Sequence, residues 1–261
     1  MPTPVRAAGA VVLAVVVAIG VIGPWVIDAS PISQDLDRVL MAPSAVHPLG
    51  TDHLGRDVLA RLAHAVRLSI GLVLVGVASA ALLGTSLGLF AAWRGGWIER
   101  GLVTAADAVL ALPALLLVLL VIAFAPGERW PIAVGISLSL WVEYFRVVRA
   151  KASVLLASPQ VEASGLLGFG GLYIVRRHLL PELAAILRTL MVFGSATTVL
   201  ALATVGFLGV GMRPPTPELG LLMTEAFPYY VEAPWVIAAP VVTLVAGVLG
   251  LALMAGDAQP R

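Results

Sequence analysis

The sequence predicts an all-α polytopic membrane protein with six transmembrane helices, and three observations carry that prediction. Of its 261 residues, 60% are hydrophobic and only 12% charged, against about 25% charged in a soluble domain. Mean hydropathy is +1.01. Six apolar runs, each near the roughly 20 residues that cross a bilayer as a helix, follow one another between polar breaks. The whole chain reads as a single transmembrane domain.

The first run covers residues 7–27. It is too long for the core of a signal peptide, and no small-x-small cleavage pattern follows it, so it reads as a retained anchor. Residues 28–65 form a long polar loop on the outer side. Within it, Asp57 to Arg67 has helical spacing, with Val58, Leu59, Leu62 and Val66 opposed to Arg61 and His64. That pattern predicts a helix that lies along the outer membrane interface and leads into the second run. The second run, 68–93, is rich in small residues (Gly71, Gly76, Gly84, Gly88), which let helices approach closely in lipid. A short turn, Arg94 to Arg100, leads to the third run at 102–125, which contains Asp107 and Pro113. The fourth run is 132–148, the fifth 184–211 and the sixth 235–254. Between the last two, residues 216–234 read as a short helix at the outer mouth, carrying Glu225, Tyr229, Tyr230 and Glu232.

The longest polar break is SPQVEASGLLGFGGLYIVRRHLLPE, residues 158–182. Val161 to Leu167 reads as a short helix. Gly168, Gly170 and Gly171 end it, since glycine takes positive φ without steric cost. A second helical piece, Leu172 to Leu180, carries Arg176, Arg177 and His178. Pro181 then opens a new helix, where its missing N–H costs nothing. Taken alone, the stretch also suits an amphipathic loop resting on lipid headgroups. That does not account for the spacing of Glu162-Ala163-Ser164, then Gly168, then Leu180-Pro181.

This spacing resembles the EAA loop of permease subunits of ATP-binding-cassette importers. Ser164 departs from it, since a second alanine is usual there. Two further stretches resemble one branch of that family, the dipeptide, oligopeptide and nickel importers. One is Leu49-Gly50-Thr51-Asp52 with Gly55-Arg56-Asp57. The other is Gly206 to Gly211 followed by Arg213-Pro214-Pro215-Thr216-Pro217-Glu218, with Leu219 in place of the usual Trp. The tail 256–261 is shorter than the family's usual ending. The resemblance implies that Glu162, Ala163, Ser164, Gly168, Leu180 and Pro181 belong to a coupling segment that docks on an ATPase subunit. It also implies a second homologous permease, two ATPase subunits and an extracytoplasmic solute-binding protein. Cargo would be short peptides or nickel-type complexes, and the place a bacterial inner membrane.

Charge placement orients the spans. With both termini cytoplasmic, the inner side holds ten Arg or Lys and the outer side six. Four of those six lie in or beside the one long loop, the direction of the positive-inside rule.

The same inventory excludes chemistry. There is no cysteine, so no disulfide or thiol catalysis. The single lysine, Lys151, is not in a Gly-Lys-Ser/Thr loop, so if the protein works with ATP another chain must hydrolyse it; the resemblance implies that ATP and magnesium sit on the partner ATPase subunits. His47, His53, His64 and His178 make no metal-ligand spacing, and a net charge of +1 points to no nucleic acid. The chain is expected to be non-catalytic, with no cofactor or metal of its own. Among acidic groups near membrane depth, Asp107 and Glu225 are candidates for the substrate path. Asp107 equally suits pairing with a nearby Arg. Two other classes remain open at this point: a secondary transporter driven by an ion gradient, which favours broken helices, and a membrane scaffold.

Overall fold

A computed structural model describes residues 4–255; the tail beyond them lies outside the described residues. The described chain is helical, with helices α1 Pro4–Val26, α2 Val58–Arg94, α3 Gly96–Leu110, α4 Ala114–Ile122, α5 Arg129–Leu156, α6 Pro159–Leu166, α7 Gly171–Ile174, α8 Leu180–Phe207, α9 Leu219–Ala226 and α10 Pro234–Ala255. Five helical stretches are long and apolar enough to cross a membrane, and the bent pair α3–α4 makes up to six.

The turn read at Arg94 to Arg100 is the single non-helical residue Gly95 between α2 and α3, and three further differences from the sequence reading have a local reason. The amphipathic segment after Asp57 is not a separate helix. It is the first three turns of α2, which runs unbroken for 37 residues. Asp57 caps it by accepting from the Ala60 amide at 2.7 Å, and Arg61 is buried rather than solvated. The third span is not straight: α3 and α4 meet at 84°. Pro113 has no N–H to give the helix and disfavours helical geometry at Leu112, so the ladder breaks there. Nor does Pro181 open a separate helix. A π turn over Val175–Leu179 joins α7 to α8, closed by the bond from the Leu180 amide to the Val175 carbonyl. Helix then runs continuously over Gly171–Phe207. The proline, which has no N–H to offer, is absorbed beside a turn whose ladder is already shifted.

Packing follows small residues. A side chain at Gly84 would meet the Trp141 carbonyl at 2.4 Å, and one at Gly88 the Phe145 carbonyl at 2.8 Å. So α2 and α5 lie backbone to backbone, the close approach that drives association where lipid offers no hydrophobic gain. Their shared core holds Val77, Ile136, Val142, Tyr144 and Phe145. Helix α1 packs on α10 through Gly9 against Gly250. The bundle therefore has two ends: one carries α6, the other α9 and the 28–57 loop.

Candidate functional site

At the first end, Ser158 precedes Pro159 at the first position of α6, where its missing N–H is no loss. The helix ends in a Schellman turn: the Gly168 amide donates to Gly165 at 3.0 Å and the Phe169 amide to Ser164 at 3.1 Å. Gly168 holds φ +81°, a value that costs an L side chain about 1–2 kcal/mol. Glu162 thus sits midway along a two-turn helix, and Gly168 is the residue that terminates it.

Glu162 and Ala163 are exposed, and Glu162 makes no ion pair among the described residues. Beside them Leu166, Leu167, Phe169 and Leu172 are exposed apolar side chains. Ser164 faces inward, within 3.0 Å of His178 Nε2. Val161 packs with Val148, Ile174, Leu179 and Leu183. Leu180 and Pro181 lie at the base, partly open to solvent. The arrangement is a short helix held on one face, offering the other face and a free carboxylate outward.

At the opposite end lies a cluster of buried charge. Glycines at 50 and 55 hold φ +73° and +71°, and the turn between them brings Asp52 Oδ1 to the amides of Leu54 at 2.9 Å and Arg56 at 3.0 Å. Asp52 Oδ2 accepts from Arg56 Nε at 2.7 Å and from Arg61 Nη1. Both guanidiniums then reach Glu225 Oε2, Arg56 at 3.1 Å and Arg61 at 2.7 Å. Arg56 and Arg61 are each 1% exposed. Two carboxylates balance two guanidiniums, which satisfies the rule that buried charge be paired. Burial opposes ionisation of Asp52, but Arg61, the two amides and Arg56 outweigh it and hold its carboxyl below the usual range.

Glu225, expected on the substrate path, lies in this cluster, paired with both guanidiniums. What it does here is clasp α9 to α2. Asp107 pairs with Arg146 at a site where both are about half exposed, which ties α3 to α5.

Glu218, which the sequence reading used only as part of a motif, is 1% exposed. It caps α9 by accepting from the Leu221 amide at 2.9 Å. Burial pushes its carboxyl up to about 7 against the pull of the Gly220, Leu221 and Leu219 amides. Its side chain fills the space over Gly206 in α8, where any Cβ would lie 1.9 Å from Oε2. Among the described residues, no group of three or more His, Asp or Glu is arranged to hold a metal ion.

The described residues thus form an α-helical membrane bundle with a protruding two-turn helix at one end and a buried ionic clasp at the other. Residues 84–256 match the family of binding-protein-dependent transport system inner membrane components. The chain is 31% identical over 255 residues to the dipeptide transport system permease protein of Haemophilus influenzae, covering 95% of this chain and 86% of that one. It is 34% identical over 255 residues to a di/tripeptide transport system permease protein of Pseudomonas aeruginosa, covering 95% and 84%. It is 30% identical over 223 residues to a glutathione transport system permease protein of Pectobacterium atrosepticum, covering 85% and 74%. The chain belongs to this family. It is a multi-pass inner-membrane permease subunit of an ATP-binding-cassette importer, non-catalytic itself, with ATP hydrolysis on separate subunits.

Proposed function

We propose that the chain forms half of the translocation path for short peptides and is driven through α6. The outward-facing surface of α6 carries this reading: an unpaired Glu162 flanked by exposed Leu166, Leu167 and Phe169, with the helix angle set by the Schellman turn at Gly168. Such a surface suits a cleft on an ATPase. The apolar side chains fill the cleft, and the carboxylate finds a cation or a helix N-terminus. ATP with magnesium would be held entirely by two ATPase subunits. A second permease would stand beside this one, and a binding protein would deliver cargo to the α9 end. Both termini and α6 would then lie in the cytoplasm, as the distribution of Arg and Lys favours.

Peptide cargo is supported by the names of the relatives; nickel-type cargo rests on the motif resemblance alone. The bend between α3 and α4 is the feature an ion-driven transporter would also use, but membership of the importer family outweighs it. The test is reconstitution. Copurification from native membranes should recover a second six-span permease and two ATPases. The complex in liposomes, given its binding protein, should take up di- and tripeptides only when ATP is present. Recovery of the chain alone, or uptake driven by a proton or sodium gradient without ATP, would overturn the proposal.

A further inference from the structure

We propose that the hydrogen bond between Ser164 and His178 is the joint that passes movement of α6 into α8, making these two the positioning residues of coupling. The inference rests on the reading of α6 as the segment that docks on the ATPase.

Helix α6 touches the rest of the chain through one narrow face. Val161 supplies an apolar contact with Val148, Ile174, Leu179 and Leu183. Such contact is non-directional and allows sliding or rotation. Ser164, 8% exposed, supplies the directional contact. Its hydroxyl lies 2.9 Å from the Gln160 carbonyl and 3.0 Å from His178 Nε2. A hydroxyl has one proton, and a carbonyl oxygen only accepts, so satisfying both contacts makes Nε2 the donor. Nε2 carries its proton in that neutral tautomer and in the cation alike, so the bond survives protonation of the ring.

His178 is also held from the other end of the loop. Tyr173 meets its ring edge-on at 6.0 Å, and Phe169 stacks on Tyr173 at 4.2 Å. Phe169 is the residue whose amide closes the turn after Gly168. Both the body of α6 and its terminating turn thus converge on one imidazole. That imidazole sits in the π turn at the root of α8, a kind of irregularity found often at functional positions.

From there α8 runs 28 residues without a break, about 42 Å at the usual helical rise. Its far end packs on α9 through Gly206 and Gly220: a Cβ at Gly220 would lie 2.1 Å from the Ala203 carbonyl. Contact that close leaves α9 little freedom to move independently of α8. A rotation of α6 held by the Ser164–His178 bond is therefore delivered to α9 at the opposite end of the bundle.

The test uses the full complex with its ATPases, trapped with ATP and vanadate, and reads amide hydrogen exchange over residues 219–230. This readout does not depend on knowing the cargo. In the wild type, trapping should change exchange in this segment. Ser164→Ala introduces the residue usual at this position in the family and removes only the hydroxyl, and its folding is checked by the extent of nucleotide trapping. It should shrink that change about 3- to 10-fold, the scale of one hydrogen bond, with nucleotide trapped to the same extent. Ser164→Thr, which keeps the hydroxyl, should restore it. The double variant with His178→Ala should be no worse than either single change. A full response in Ser164→Ala, additive losses in the double variant, or no response in the wild type would each overturn the joint. Glu162→Arg separates the two readings. If it abolishes the response while Ser164→Ala leaves it whole, α6 couples but the joint is wrong. If Glu162→Arg keeps a full response, the coupling role of α6 fails, and the joint with it.

Discussion

Arg61 and Glu225 meet at 2.7 Å although 164 residues separate them. One belongs to the first turn of α2, the other to α9. With Asp52 and Arg56 they make the α9 end of the bundle a closed ionic unit. A buried pair is weak evidence of net stability, but breaking one side is costly, because it strands a charge.

The first prediction follows from that asymmetry. Glu225→Ala leaves two buried guanidiniums sharing Asp52. It should lower unfolding stability by about 3–5 kcal/mol, read by thermal or denaturant unfolding in detergent. The double change Glu225→Met with Arg61→Met removes one charge of each sign and leaves Arg56 with Asp52. It should unfold later than Glu225→Ala. If Glu225→Ala unfolds with the wild type, the clasp has no energetic weight.

Glu218 gives a pH dependence whose sign is fixed by its environment. Its carboxyl titrates near 7 when folded against 4.5 ordinarily. Between those values the folded chain holds a proton that the unfolded chain has released. The contribution of Glu218 to stability is therefore greatest below about 4.5, falls as pH rises toward 7, and levels off above it. Glu218→Gln should flatten that slope. The measurement is the unfolding temperature from pH 5 to 8 for both proteins, and parallel curves would remove Glu218 as the cause.

The membrane spans were legible because an apolar run of span length has few alternatives, and the run alone conveys it. The short helix α6 and its terminator were legible for a different reason: Glu162 to Gly168 is a local stretch, so spacing along the chain is spacing in space. Asp52, Arg56 and Arg61 were visible only as turn residues and one amphipathic face. Their meaning depends on Glu225, which no local pattern connects to them. Arg61 reads as solvated because it lies opposite the apolar face of Val58, Leu59, Leu62 and Val66, yet it is buried where its guanidinium meets Glu225 of α9. The π turn is likewise hidden, since Val175 to Leu179 has ordinary helix-forming residues, and Pro181 invites a break instead.

Gly220 offers a steric prediction. A methyl group there meets backbone, the Ala203 carbonyl at 2.1 Å and the Phe207 amide nitrogen at 2.7 Å, and backbone cannot rotate away. Gly220→Ala should push α9 off α8 at a cost of about 1–3 kcal/mol or more, exposing 208–218 to limited proteolysis. Gly71 is the control. Nothing lies within 4 Å of a Cβ built there, so Gly71→Ala should leave the cleavage pattern unchanged. Equal resistance in both variants would show that α8 and α9 are not pressed together.

The turn at Gly168 separates a demand on the backbone from a demand on the side chain. At φ +81° alanine is strained by about 1–2 kcal/mol, asparagine less so, and proline, locked near −65°, is excluded. Proline also removes the amide that bonds Gly165. A graded series is therefore expected in ATP-dependent uptake by the reconstituted complex: asparagine near wild type, alanine reduced, proline inactive. All four proteins should reach the membrane in similar amounts, because a Cβ at position 168 meets nothing within 4 Å and the turn is exposed. That pairing of intact insertion with lost uptake distinguishes a helix whose angle matters to a partner from one that merely needs to fold. Uptake by Gly168→Pro at the wild-type rate would mean that the angle of α6 does not govern coupling, whatever the spacing of the segment suggests.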